Sequence, residues 1–246
     1  MCRHLAWTGA PRTLWELTMQ APHSLLRQSW APRRMRYGTV NADGFGVGWY
    51  APQMRPEPAR YRRAVPMWTD ASFASLAGVV ASGCVLAAVR NATPGMPVEE
   101  SATAPFTDGR LLLSFNGRVD PAAARRLLAD RPDAPVPESG CDAALVAALV
   151  WESAGRMPVA KAVGEVVQAL APATEPDGTP ARLNLLVTDG RQIVATTWRD
   201  TLSYRVFPDG VLVASEPDDD ETGWVEVADE QILVADPHEV TLSSLR

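Results

Sequence analysis

Features that mark several common classes of protein are missing from this chain of 246 residues. It has three histidines and three cysteines, and neither C-x-x-C nor H-x-x-x-H occurs, so the sequence predicts no metal site. The odd number of cysteines, without a regular spacing, also argues against a framework of disulfides. Of the three, Cys84 lies in the apolar segment CVLAAV, which predicts a buried side chain.

A membrane-spanning helix and a secretory signal are not expected either. The longest mostly apolar run, Leu76–Val89, is too short to cross a bilayer and is interrupted by serine and glycine. Arg3, His4 and Glu16 interrupt the N-terminal stretch in which a signal would need an apolar core. We therefore expect a soluble, cytoplasmic protein with no membrane partner.

Binding of nucleic acid has equally little support. The formal net charge is −6 and the sequence contains no basic stripe. The pairs Arg33-Arg34 and Arg62-Arg63 are short, and we predict that they are solvated or locally ion-paired. No nucleic-acid partner is expected.

The composition supports a folded globular domain. Hydrophobic residues make up 46% of the chain and charged residues 21%, and this length can bury a core without disulfides or metals. We predict one domain over residues 2–246. An opening strand (residues 2–8), a helical middle and hairpin signals in the last third predict the α+β class. Predicted helices cover residues 70–82, 142–153 and 159–171, with another beginning at 120–121, and predicted strands cover residues 84–90, 111–116, 182–188, 191–198, 202–207, 211–215, 224–227, 231–235 and 239–243.

Cys2 is the first candidate for chemistry. Removal of the initiator methionine is favoured when the next residue is small, so Cys2 can become the N-terminal residue. A free α-amine has a pKa of about 7.7–8.0, which lets it act as a general base for its own thiol at neutral pH. The alternative is an ordinary cysteine that happens to follow the initiator.

Three alternating glycines occur in the segment NADGFGVGWY, residues 41–50. Their spacing resembles a dinucleotide-binding loop, but the segment runs into Trp49-Tyr50 and then Ala-Pro rather than into a helix. We therefore predict a glycine-rich loop whose backbone approaches another segment closely before the chain enters a strand.

Polar residues at the ends of predicted elements are further candidates. Arg90 follows a buried strand and can hold a carboxylate through both prongs of its guanidinium, or form a structural ion pair. Asn116-Gly117 ends the next strand, where a side-chain amide and a backbone N–H can form an oxyanion hole, or a simple turn. Asp142 begins a helix and can cap it or bind an ammonium group.

The acidic segment of residues 218–223 has part of the composition of a calcium loop. Predicted strands rather than helices flank it, and no glutamate falls at the twelfth position. We predict a solvated turn that holds no metal.

The order of these features resembles the class II glutamine amidotransferases. The chain opens with Met-Cys and continues with N-A-D-G-x-G, R-x-A-T-x-G, N-G and an Asp before a helix. The resemblance implies that Cys2 attacks a γ-glutamyl amide after Met1 is removed. It also implies the αββα sandwich of the N-terminal-nucleophile hydrolases and a reaction without a cofactor.

The same resemblance assigns roles to the other candidates. It implies that Arg90 and Thr93 bind the α-carboxylate of the glutamyl group and that Asp142 binds its α-ammonium. Asn116 and Gly117 would form the oxyanion hole.

Longer strings resemble a narrower group in this family, the hydrolases of ergothioneine biosynthesis. That resemblance implies cleavage of γ-glutamyl-hercynylcysteine sulfoxide to glutamate and hercynylcysteine sulfoxide, with this small molecule as the expected partner. The strings are CRHLAW (2–7), APRR (31–34), NADGFGVGWY (41–50), SATAPFTDG (101–109), LNLL (183–186), ATTWRDTL (195–202) and SEPDDDETGW (215–224).

Two positions depart from the family pattern, and two other functions stay open. Phe115 stands where many members have His before Asn-Gly, and Ala143-Ala144 follow Asp142 where relatives often carry Ser or Glu. The alternatives are a glutaminase that supplies ammonia to a separate synthase, and a non-catalytic module that keeps Met1 and binds γ-glutamyl compounds.

Overall fold

The structure, a computed structural model, describes residues 2–246 and contains two antiparallel β-sheets with helices between their strands. The strands are β1 (Arg3–Thr13), β2 (Phe45–Trp49), β3 (Ala59–Arg63), β4 (Ala81–Val89), β5 (Phe106–Thr107), β6 (Leu112–Arg118), β7 (Arg182–Thr188), β8 (Ile193–Thr196), β9 (Ser203–Phe207), β10 (Gly210–Ala214), β11 (Trp224–Glu226), β12 (Gln231–Ala235) and β13 (Val240–Ser244). The helices are α1 (Leu25–Gln28), α2 (Ala71–Ala77), α3 (Pro121–Ala129), α4 (Asp142–Ala154) and α5 (Val159–Leu170). The predicted α+β class is confirmed.

The strands form a seven-stranded sheet in the order β11-β9-β10-β1-β4-β2-β3 and a six-stranded sheet in the order β13-β12-β8-β7-β6-β5. The opening strand thus lies in the middle of the larger sheet. The predicted hairpins are present, since β7 pairs with β8 and β9 with β10. The predicted helices over 142–153 and 159–171 correspond to α4 and α5, and α3 begins at Pro121 behind Asp120 as expected.

Three groups of buried apolar side chains hold these elements together. One, which includes Leu25 and Phe73, joins the larger sheet to α1 and α2. A second, which includes Leu149, joins the smaller sheet to α3, α4 and α5. The third contains Ala6 of one sheet and Leu186 of the other, so the two sheets bury apolar surface against each other.

The helix predicted over residues 70–82 is too long. Asp70 caps α2 as expected, because its side chain accepts a hydrogen bond from the backbone N–H of Phe73 at 2.9 Å. The helix nevertheless ends at Ala77. Gly78 and the β-branched Val79-Val80 are poor helix formers, so the following residues enter β4 instead.

The strand predicted to follow the glycine-rich loop begins inside it, since β2 covers Phe45–Trp49. A Cβ atom on Gly46 would lie 2.2 Å from the carbonyl oxygen of Ala104, and one on Gly48 would lie 2.7 Å from a methyl group of Leu112. Glycine is therefore required where β2 passes the segment before β5 and the start of β6. The predicted close approach is confirmed.

Several surface predictions can be compared with the structure. The pairs Arg33-Arg34 and Arg62-Arg63 are ion-paired at 3.5 Å or less, as predicted. The prediction of a solvated turn over residues 218–223 is wrong for its first residue, since Asp218 is only 7% exposed. Its carbonyl accepts a hydrogen bond from the backbone N–H of His23, which draws it inward. Between residues 2 and 246, no helix has the length and apolar character needed to cross a membrane.

Candidate active site

Cys2 and Arg90 lie beside each other at one end of the larger sheet. Strand β1 pairs with β4 so that Arg3 is opposite Val89, which brings the residues before and after them together. Cys2 is partly exposed, and it lines a cavity with Arg90 and residues 114–115 of β6. The structure therefore brings the candidate nucleophile and the candidate carboxylate-binding residue to one cavity.

Arg90 has no carboxylate within ion-pair distance among residues 2–246, so the structural ion pair weighed for it is not formed. The side chain is 8% exposed, and its Nη1 donates to the carbonyl of Pro97 at 2.9 Å. Its backbone is fixed on both sides, because its N–H donates to Gly44 and its carbonyl accepts from Asp43. The remaining N–H groups of the guanidinium are those that a ligand carboxylate can use.

Asp43 organises the loop that follows Arg90. Its Oδ2 accepts a hydrogen bond from the backbone N–H of Ala92 at 2.8 Å. Thr93 lies in this loop and is half-buried, and its carbonyl accepts from the N–H of Met96 at 2.9 Å. Thr93 follows Arg90 closely in the chain but does not line the cavity shared by Cys2 and Arg90.

Asn116 and Gly117 do not form a turn. They lie inside β6 and pair with Asn184 and Leu183 of β7. Asn116 is fully buried, and its Nδ2 donates one hydrogen bond to Asp200 at 3.2 Å. Within the described part of the chain the second N–H of this amide has no acceptor, which is the arrangement an oxyanion hole requires.

The face of β6 that carries Asn116 is turned toward the strand that begins beside Cys2. Side chains alternate along a strand, so Asn116 and Ser114 lie on the same face. Ser114 Oγ lies 3.1 Å from Nδ1 of His4 on β1. Asn116 therefore lies two residues along β6 from Ser114, whose side chain contacts β1.

Gly117 has no room for a side chain. A Cβ atom there would lie 2.0 Å from the carbonyl oxygen of Arg182 and 2.6 Å from the ring of Phe115. Phe115, the departure from the family pattern, is 4% exposed and belongs to the core beneath α4. It supplies an apolar wall beside the backbone of Gly117.

Asp142 is the first residue of α4 rather than its cap, which is Cys141. Its carboxylate accepts from the N–H groups of Ala143 at 2.9 Å and Val119 at 3.4 Å. Burial raises the pKa of Asp142 to about 6, while these N–H groups and the charge of Arg90 oppose the shift. Asp142 does not line the cavity of Cys2, but it is near enough to Arg90 to feel its charge.

His4 is not a candidate base, although it lies two residues from Cys2. Complete burial, helped by the charge of Arg3, lowers the pKa of His4 to about 3. Its imidazole is therefore neutral at physiological pH and cannot take up a proton there. Its backbone N–H donates to Ser215 Oγ at 3.0 Å, which ties the start of β1 to the end of β10.

Sequence reasoning missed a buried group of charges next to Cys2. Arg3 is fully buried, its Nη1 donates to Thr201 at 3.3 Å, and its guanidinium lies 3.8 Å from Asp200 and 4.0 Å from Glu216. The only sequence signal was that these partners fall in the strings ATTWRDTL and SEPDDDETGW. Across residues 2–246, no three His, Cys, Asp or Glu side chains are grouped to hold a metal ion.

Comparison with known proteins defines the class first. The family described as class II glutamine amidotransferases matches residues 14–209. The chain belongs to this family, whose members are enzymes.

Two named relatives are similar over nearly the whole chain. The γ-glutamyl-hercynylcysteine sulfoxide hydrolase of Mycolicibacterium smegmatis is 47% identical over 241 residues, which is 98% of each chain. The protein of the same name from Mycobacterium tuberculosis is 44% identical over 245 residues, 100% of this chain and 97% of the relative.

Solved structures agree at the level of the fold. A class II glutamine aminotransferase domain protein from Silicibacter pomeroyi superposes over all of both chains with a TM-score of 0.67 at 23% identity. Glutamine phosphoribosylpyrophosphate amidotransferase from B. subtilis covers all of this chain with 49% of its own length, with a TM-score of 0.72 at 14% identity.

Proposed function

We propose that this protein hydrolyses the γ-glutamyl amide of γ-glutamyl-hercynylcysteine sulfoxide, releasing glutamate and hercynylcysteine sulfoxide in ergothioneine biosynthesis. The observation that carries the proposal is the shared cavity of Cys2 and Arg90. It coincides with 44–47% identity over nearly the whole chain to hydrolases that bear this name.

The glutamyl group is held by opposite charges. Arg90, with Thr93, binds its α-carboxylate, because a guanidinium without a carboxylate partner offers paired N–H donors. Asp142 binds its α-ammonium, and the influence of Arg90 on the pKa of Asp142 supports their closeness. This grip fixes the γ-carbonyl relative to Cys2.

The first chemical step forms a thioester. The free α-amine of Cys2 takes the thiol proton, and the sulfur forms a bond with the γ-carbonyl carbon. The amide N–H of Asn116 and the backbone N–H of Gly117 stabilise the oxyanion, with about 2.7–4 kcal/mol per donor in comparable sites. The protonated α-amine then returns its proton to the leaving nitrogen as the C–N bond breaks.

The second step releases glutamate. Water gives a proton to the α-amine and attacks the thioester carbon, and the same oxyanion donors stabilise the second tetrahedral intermediate. The C–S bond breaks, the thiol regains a proton, and no cofactor takes part. His4 stays neutral throughout because burial lowers its pKa to about 3.

This mechanism needs a free amine on Cys2. Met1 lies outside the described residues 2–246, so its removal stays a prediction. The predicted cytoplasmic location also stays a prediction, as does the absence of a nucleic-acid partner.

The proposal includes the architecture of the protein. We propose that residues 2–246 form one domain, in which the two sheets and their helices make a four-layer αββα sandwich. The three apolar groups, one between the sheets and one against each set of helices, support that arrangement.

A comparison of two substrates tests the function. We expect kcat/KM for γ-glutamyl-hercynylcysteine sulfoxide to exceed that for glutamine at least about a hundredfold, which is roughly 2.7 kcal/mol of discrimination. Purified enzyme is assayed with each compound by release of glutamate. Equal cleavage of glutamine, especially with stimulation by a copurifying synthase, would replace the hydrolase by an ammonia-supplying glutaminase. Absence of turnover with both would leave a binding module.

A further inference from the structure

Arg182, at the start of β7, is a buried guanidinium without a carboxylate partner. It is 7% exposed, its Nε has no hydrogen-bond partner, and no carboxylate of residues 2–246 lies within ion-pair distance of it. Its guanidinium carbon lies 4.2 Å from the ring centre of Tyr37. Arginine is seldom buried unless it is paired, since a desolvated charge needs a compensating contact.

Arg182 lies immediately next to the candidate oxyanion hole. It pairs with Arg118, one register position beyond the pair of Gly117 with Leu183. Its own carbonyl oxygen is the atom that a side chain on Gly117 would strike. Asp200, which accepts the hydrogen bond from Asn116, also feels the charge of Arg182.

The two sheets place Arg182 and Arg90 on opposite sides of the reacting centre. In the smaller sheet β6 lies between β5 and β7, and in the larger sheet β1 lies between β4 and β10. Arg90 directly follows β4, and its cavity includes Phe106 of β5. Arg182 begins β7, so Cys2 and Asn116 lie between the two arginines.

The carboxylates nearest Arg182 are engaged by other groups. Arg3, Arg36 and Arg182 all act on the pKa of Asp200 by their charges, and Arg3 also faces Glu216. Arg3 is the arginine within ion-pair distance of both carboxylates, and Arg182 is not. Both oxygens of Glu216 are already occupied by backbone N–H groups of residues 33 and 34, at 2.8 Å and 2.7 Å.

An amide substrate extends to both sides of the carbon that is attacked. With the glutamyl group held at Arg90, the leaving group lies on the other side of the attacked carbon, and we infer that this is the side on which β7 and Arg182 follow β6. A leaving amino acid carries an α-carboxylate on the carbon next to the scissile nitrogen, whereas the ammonia released from glutamine carries none.

We propose that Arg182 is a specificity-determining residue that binds the α-carboxylate of the leaving amino acid, so that the site prefers γ-glutamyl amides of amino acids to simple γ-glutamyl amides. This inference rests on the proposed hydrolase function. Tyr37 holds the guanidinium by a cation–π contact and leaves its edge free for a bidentate pair with the carboxylate.

The test compares two substrates that differ in one group. One is γ-glutamyl-hercynylcysteine sulfoxide, and the other is its analogue with hydrogen in place of the cysteinyl α-carboxylate. Wild-type enzyme should prefer the carboxylate-bearing compound at least about tenfold in kcat/KM. In Arg182→Gln the preference should fall to about twofold or less, with kcat/KM for the analogue within about threefold of wild type.

Two further variants complete the design. Arg182→Lys keeps the charge but not the paired geometry, so an intermediate preference of about threefold is expected. Arg191→Gln changes an exposed arginine at the other end of the β7–β8 hairpin and should keep the wild-type preference. The ratio of the two kcat/KM values does not depend on the folded fraction, since both come from one preparation.

Each remaining outcome overturns the inference. An unchanged preference in Arg182→Gln shows that the carboxylate binds elsewhere. An equal loss on both substrates shows that Arg182 only supports the structure. Wild-type enzyme that cleaves neither compound removes the proposed function together with this inference, whereas turnover with an unchanged preference removes the inference alone.

Discussion

The two ends of the space between the sheets each hold a cysteine, in opposite surroundings: Cys2 is partly exposed and Cys84 is buried. Cys2 lies beside the buried charge of Arg3, which faces Asp200. At the far end Cys84 Sγ lies 3.0 Å from the hydroxyl of Thr188, and burial raises the pKa of the Cys84 thiol to about 12. A thiol buried away from cationic groups stays protonated and unreactive. Position at the N-terminus, next to the buried charge of Arg3, therefore separates the candidate nucleophile from a core residue.

The same contrast holds for buried polar atoms. At the Cys2 end, side-chain atoms of Arg3, His4, Asn116 and Arg182 lack hydrogen-bond partners. At the far end the single O–H of Tyr50 lies within hydrogen-bond distance of two backbone carbonyl oxygens, at 2.8 Å and 2.9 Å. Unsatisfied buried polar groups are costly, and their concentration beside Cys2 is typical of a site shaped for ligands rather than for stability.

The largest expected effect separates the two cysteines directly. Cys2→Ala removes the nucleophile, and we expect kcat/KM to fall at least about a thousandfold. Cys84→Ala removes only a buried thiol, so kcat/KM should stay within about twofold while the free energy of unfolding falls by about 1–2 kcal/mol. Steady-state assays and urea unfolding measure both. A large loss of activity in Cys84→Ala with normal folding would reverse the comparison.

The next effect concerns the two charges that hold the glutamyl group. Arg90→Lys keeps the charge but loses the two-pronged geometry, and Asp142→Asn keeps the shape but loses the charge. We expect each to lower kcat/KM at least about tenfold, or about 1.4 kcal/mol of transition-state binding, with circular dichroism unchanged.

One result for Arg90→Lys and Asp142→Asn would contradict this prediction. Unchanged kinetics in both variants would show that the glutamyl group is bound elsewhere. Arg191→Gln, an exposed site away from Cys2, provides the matched control and should behave as wild type.

The smallest effect is a change of slope in the pH profile. Burial disfavours the charged carboxylate and raises the pKa of Asp142 to about 6, so protonation below that pH removes the group that binds the α-ammonium. The α-amine, with an ordinary pKa of about 7.7–8.0, also gains a proton as pH falls. The slope of log kcat/KM against pH should therefore be about one near pH 7 and about two below pH 6.

Asp142→Asn provides the control for that profile. The variant lacks the titrating carboxylate, so its slope should stay at about one on both sides of pH 6. A slope of two that persists in the variant would assign the second proton to another group.

Much of the fold was predictable because the signals are local. Turn dipeptides such as Asp189-Gly190 predicted the hairpins of the last third, and an aspartate before a proline predicted the start of α3. Strand β3 was not predicted, because ARYRR has no apolar alternation and lies at the sheet edge. The end of α2 was misplaced because a short apolar run fits helix and strand equally.

The candidate site also contains residues that the sequence predicted and residues that it did not. The order of motifs predicted that Cys2 and Arg90 belong together, and strand pairing brings them together. The contact of Asn116 with Asp200 spans 84 residues, and that of Tyr37 with Arg182 joins a loop to a distant strand. Such pairings follow only from the packing of the two sheets, so no local pattern revealed Asp200 or Arg182.

The central claim is that Cys2, freed of Met1, is the residue that carries the glutamyl group. The most direct measurement is intact-mass and peptide-mass analysis of active enzyme quenched with acid during turnover of γ-glutamyl-hercynylcysteine sulfoxide. We expect a chain without Met1 and a glutamyl addition on the peptide that begins with Cys2. An active chain that keeps Met1, or a glutamyl group on Cys84 or Cys141, would contradict the mechanism.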